Sequence, residues 1–180
     1  MRRTAGTARA GLLAVLLGAV LAGCGLTQLD SLNFRIDDRL EFTAPESRAL
    51  VGQPVTLAWS IRDFAIRAPG SAPPSRDAGY FAVFVDRTPV KPGHTLADVA
   101  SGDPSCETDP VCPDRDYLRQ RQVYTTTRTT FRLPQIPNLA GNDDDEQLHT
   151  VTVVLMDTAG HRIGESAWQL DFRLHRIGIS

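Results

Sequence analysis

The sequence predicts an all-β, antiparallel sandwich of about seven strands, and three observations carry that expectation. Val55, Leu57, Trp59 and Ile61 alternate with Thr56, Ala58, Ser60 and Arg62, the period-two pattern of a strand with one buried face. Trp168, Leu170, Phe172 and Leu174 alternate with Gln169, Asp171 and Arg173 in the same way. Between these two anchors, short apolar or threonine-rich runs are separated by Pro and Gly instead of helical patterns, which favours a sandwich over alternating β and α units.

In chain order, an opening strand is expected around Arg39 to Ala44, followed by the alternating strand that ends at Ile61. Ala68 to Asp77 carries Pro69-Gly70 and Pro73-Pro74 and reads as a flexible loop. Tyr80 to Val85 is apolar on both faces and suits a central strand. A poorly marked seventh strand falls between Pro89 and Val99. Gly102 to Gln122 reads as an insertion whose tail forms a short helix capped by Asp114 or Asp116. Val123 to Leu133, rich in threonine, favours strand over helix. Val151, Val153 and Leu155 form another inward face, and Asp157-Thr158-Ala159-Gly160 supplies the turn of a hairpin leading into the last strand.

On these residues the chain resembles the fibronectin type III and immunoglobulin-like sandwiches. Gly52 to Trp59 is similar to a second strand with its buried tryptophan, and Leu148 to Met156 with Gly160 and Trp168 is similar to the last two strands. The chain departs from the family where His149 stands in phase with Val151 and Val153, in place of the corner tyrosine of many such domains. The disulfide-bearing insertion is a second departure.

The N-terminus carries a different signal. Arg2, Arg3 and Arg9 precede an apolar run from Gly11 to Ala22 that is too short to span a bilayer, and the run ends in Leu21-Ala22-Gly23-Cys24. This string resembles the lipobox of bacterial lipoproteins. The resemblance implies residues 1–23 as a signal peptide, lipidation of Cys24, residues 24–33 as a lipidated tether and residues 34–180 as one sandwich domain. Each buried methylene contributes about 0.8 kcal/mol, so two or more acyl chains hold stably where one holds marginally. The expected location is the cell membrane, lipid-anchored on the extracytoplasmic side. Arg2-Arg3 also permits a twin-arginine reading, weakened by Thr4 to Thr7, which lack the apolar residues that usually follow.

Lipidation at Cys24 leaves Cys106 and Cys112 as a pair, and a disulfide closing this short turn-rich loop should stabilise by roughly 2 kcal/mol. Zinc is the alternative, but it needs two further ligands, and no histidine is close in sequence. The chain has 19 basic and 21 acidic residues, and three arginines leave with the signal, so the mature protein is net acidic. Nucleic acid is not an expected partner.

No string of residues names a reaction. Gly164-Glu165-Ser166-Ala167-Trp168 lacks the closing glycine of a nucleophile elbow and runs into a strand. His94, His149, His161 and His175 share no metal-ligand spacing and read as surface or partly packed groups. Asp143, Asp144 and Asp145 are weak candidates for calcium, because consecutive acids in an extended loop point to opposite sides. Trp59 and Trp168, in phase with aliphatic neighbours, read as core. No cofactor is expected. The leading functional expectation is a non-enzymatic module that presents loops or a sheet edge to a protein or cell-envelope partner. The alternatives are an envelope enzyme, or enzyme subunit, with a site assembled from loops, and a calcium-stabilised adhesion module.

Overall fold

The computed structural model describes residues 37–178, so Cys24 and the segments predicted before it lie outside the described residues. Among the described residues the alternating runs form nine strands in two sheets. The strands are β1 (Leu40–Ala44), β2 (Leu50–Val51), β3 (Val55–Ile61), β4 (Ala65–Ile66) and β5 (Ala78–Val85), then β6 (Val123–Thr126), β7 (Thr130–Leu133), β8 (Glu146–Asp157) and β9 (Trp168–His175). A short helix, α1 (Arg115–Gln120), and a 3-10 turn at Leu96–Ala100 lie between β5 and β6. One sheet has the order β1-β3-β7 and the other β2-β9-β8-β5, with β4 and β6 side by side along the remaining edge of β5.

Alternation in β3 sends Val55, Leu57 and Trp59 inward and Thr56 and Ser60 outward. From the facing sheet, Phe81, Val153 and Phe172 meet them with no exposed surface. Full burial of side chains of this size is worth about 1.5–3 kcal/mol each. Trp59 sits edge-on to Phe42 and Phe81, with ring centroids 6.1 and 5.2 Å away, the geometry that opposes positive ring edges to negative faces.

The continuous apolar character of β5 has a separate cause. Its other face, with Ala82 and Phe84, joins Val154 and Met156 of β8 in a second apolar cluster, closed from outside by Val90 and Leu118 of the β5–β6 connection. That connection forms a third layer over the sheet. The predicted insertion begins too late, because Val90, Leu96 and Val99 already pack against this outer face.

Four further expectations are corrected. The strands number nine because β2 and β4, two residues each, are added where the chain passes from one sheet to the other; both pair in parallel, with β9 and β5. Two residues are too few to show alternation. No strand lies between Pro89 and Val99; Thr95 caps the 3-10 turn there by accepting from the Ala97 N–H. Val123 to Leu133 is two strands in different sheets, since Thr126 Oγ1 accepts from the Arg128 N–H and turns the chain between them. At the start of β8 the corner bond belongs to Gln147. Its Oε1 accepts from the Leu139 N–H at 2.8 Å and its Nε2 donates to the Asn142 carbonyl at 2.7 Å, which fixes the loop behind the strand.

Candidate functional site

A groove of about 720 Å³ opens between α1 and the outer edge of β6, and local sequence explains its walls. Asp114 caps α1 by accepting from the Tyr117 N–H at 2.7 Å, and Leu118 anchors the helix to the outer apolar cluster. Arg115 and Arg119, four residues apart, therefore share one side of the helix and line the groove. Arg128 enters from the β6–β7 turn. Tyr80, Tyr124 and Phe131 supply aromatic surface, with the Tyr124 and Phe131 rings 5.5 Å apart. Burial raises the pKa of both tyrosines, so each phenol remains a neutral hydrogen-bond donor at ordinary pH.

The charges in this groove are poorly neutralised. Arg115 and Arg128 make no ion pair among the described residues. Arg119 reaches Asp116 at 3.2 Å, but both side chains are more than half exposed, and such pairs are worth about 0–1 kcal/mol. An anionic ligand would meet three guanidinium forks beside aromatic surface.

The insertion is clasped at its base. Asp103 accepts from Ser105 Oγ and from Tyr117 Oη, each at 2.7 Å, and pairs with Arg121, whose guanidinium lies 3.5 Å from the centre of the Tyr117 ring. The hydrogen bond from Ser105, then that from Tyr117, holds the Asp103 carboxyl down at about 2. Cys106 and Cys112 are disulfide-bonded, with Cα atoms 5.2 Å apart, and close the tip of the same insertion.

A larger cleft, about 860 Å³, includes Arg39, Arg162, Asp157 and His161 in its lining. Its cationic groups are already engaged. Arg39 forms a two-pronged pair with Asp37, and that hydrogen bond lowers the Asp37 pKa to about 2. Arg162 is buried, and its terminal nitrogens donate to the carbonyls of Val90, Glu165 and Ser166. Desolvation lowers its pKa. The ring of His161 lies 3.6 Å from Asp157.

The remaining singled-out residues are dispersed. His94 pairs with Asp98 at 2.7 Å on the surface. His149, in contrast, is buried against Phe172, with Nδ1 2.7 Å from Asp86 Oδ2. Asp143 binds Arg176 through its carboxylate at 3.0 Å, while Asp145 offers Arg176 a backbone carbonyl. The Asp144 N–H donates to Asn142 Oδ1. Among the described residues no group of three or more His, Cys, Asp or Glu is placed to hold a metal. Trp59 lies in the core as expected, whereas Trp168 is only half-buried and its indole N–H donates to the Asp37 carbonyl at 2.9 Å.

No family model, curated protein or solved structure matches the chain. The arginines of the groove went unnoticed in the sequence because Arg128 is far along the chain from Arg115 in structural terms, across a strand and a turn. The readable signal was the Asp114 cap followed by Arg115 and Arg119 at helical spacing around Leu118.

Proposed function

We propose that this chain is a lipid-anchored, extracytoplasmic interaction module of the cell envelope, and that its partner sits in the arginine-lined groove between α1 and β6. The observation that carries the reading is the groove itself, where Arg115, Arg119 and Arg128 surround aromatic surface with little internal neutralisation. The anchoring half rests on the lipobox-like Leu21-Ala22-Gly23-Cys24. An immunoglobulin-like identity is supported by strand order: β1-β3-β7 against β9-β8-β5-β6 follows the order A-B-E against G-F-C-C′ of that family. Gln147 supports it too, since it ties the start of β8 to the preceding loop as a corner tyrosine does.

An enzyme with a site assembled from loops is the competing reading, and the larger cleft with His161 and Asp157 is where it would reside. It would be favoured by turnover that disappears in His161→Ala.

The test uses the full-length chain in its native membrane, with a photo-crosslinking residue at Thr125 in β6 or, as a control, at Leu50 in β2. Metabolic labelling with a clickable fatty acid reports the anchor. The reading expects labelling that Cys24→Ser abolishes, and a discrete adduct from Thr125 that weakens in Arg115→Ala/Arg119→Ala. Equal labelling of Cys24→Ser overturns the anchor, and matching adduct patterns from Thr125 and Leu50 overturn the groove.

A further inference from the structure

We propose that the groove takes an extended segment of a partner protein, one with alternating acidic and apolar side chains, which adds as a strand to the free edge of β6. The inference rests on the interaction reading above and supplies the chemistry of its partner.

β6 pairs with β5 through Val123–Thr126, and among the described residues no strand lies on its other side. Such an edge presents unpaired N–H and C=O groups that an incoming backbone can satisfy. Free edges are normally blunted by proline, a bulge or a charged side chain, and Val-Tyr-Thr-Thr contains none of these. The other edges are less suited. β2 and β4 have two residues each, and β1 is interrupted between Phe42 and Ala44. β7 contributes Phe131 to the groove, but the helix with its arginines stands over β6.

The walls dictate the side-chain pattern. Val123 and Leu118 belong to the apolar cluster on the outer face of the sheet, where α1 carries Arg115 and Arg119. Tyr124 belongs to the inner core, and Phe131 packs against that core beside it. A strand added to β6 would continue the sheet, so its side chains would point alternately to these two sides. Carboxylates on the outer side meet guanidinium forks that bind them in two-pronged fashion. Apolar side chains on the inner side cover Phe131. The paired length of β6 is about 14 Å, which suits a segment of about four to six residues.

The experiment measures binding of a fluorescein-labelled peptide of alternating glutamate and valine, about seven residues long, to the detergent-solubilised full-length chain. Two further versions carry N-methyl groups on one or the other alternate set of amides. The proposal expects saturable binding, weakened about tenfold by Arg115→Ala/Arg119→Ala, and abolished by methylation of one set of amides but not the other. Only the set that faces β6 donates to its backbone, so this asymmetry reads strand addition and not charge alone. Equal binding of both methylated peptides overturns the proposal, as does capture of inorganic polyphosphate with no capture of peptide. If the peptide fails to bind while Thr125 still cross-links in membranes, strand addition is wrong and the interaction reading stands. If both fail, both are wrong.

Discussion

Gly79 lies so close to Met156 across the β5–β8 pairing that a Cβ on Gly79 would sit 1.9 Å from the Met156 carbonyl oxygen. Its φ of 155° is also one that L side chains rarely adopt. The atom in the way is backbone, so no side-chain rotation relieves the overlap. Gly79→Ala is therefore expected to lose about 3 kcal/mol or more, through displacement of β5 from β8. Urea denaturation checks it, and a loss under about 1 kcal/mol would show that the strands separate freely at this point.

Gln147 tests the corner. Gln147→Leu keeps much of the buried volume but leaves the Leu139 N–H and the Asn142 carbonyl without their partners. The expected cost is about 1–3 kcal/mol, the penalty of buried polar groups left unsatisfied. Leu148→Ala, at a neighbouring position that is 46% exposed, is expected to lose less than about 0.5 kcal/mol beyond its small apolar contact. Equal losses in chemical melts would contradict the corner role.

The two tryptophans should now differ. Trp59 is 3% exposed between two aromatic rings, so Trp59→Ala is expected to cost about 3–5 kcal/mol. Trp168 stands at the first position of β9, half-buried, and its replacement should cost about 2 kcal/mol, with the lost bond to Asp37 included. Gln169→Ala should be nearly silent. A larger loss at Trp168 than at Trp59, measured in the same urea series, would invert the assigned burial.

Asp37 gives a pH dependence of known sign. The hydrogen bond from Arg39 lowers its folded-state pKa to about 2, below the ordinary value of 3.8. The folded state thus favours the ionised form. The stabilisation is fully present above about pH 5 and is lost as pH falls through the window from about 4 to 2. Asp37→Asn should flatten the dependence of unfolding free energy on pH in that window, with little change in slope between pH 6 and 8. An unchanged acid limb would show that the pair contributes nothing.

Legibility followed period and length. β3 and β9 were readable because one face of each is buried, and the double-sided burial of β5 was readable from its unbroken apolar run. β2 and β4 were not, because two residues carry no period. The division between β6 and β7 was hidden in a threonine-rich run whose break depends on one side-chain bond, from the Arg128 N–H to Thr126 Oγ1. The disulfide followed from cysteine arithmetic. The groove depends on α1 folding back over β6, held by Leu118 and the Asp103 clasp, and long-range placement of this kind leaves no local pattern.

Amide hydrogen exchange on the full-length chain tests the central claim most directly, comparing the protein in its native membrane with the purified protein in detergent. A partner seated on β6 would slow exchange in Val123–Thr126 and along the groove side of α1 in the membrane sample, while β3 and β9 exchange alike in both. That slowing should disappear in Arg115→Ala/Arg119→Ala. Identical exchange across β6 and α1 in the two samples, or membrane-dependent protection confined to the cleft around Arg162, would contradict the account.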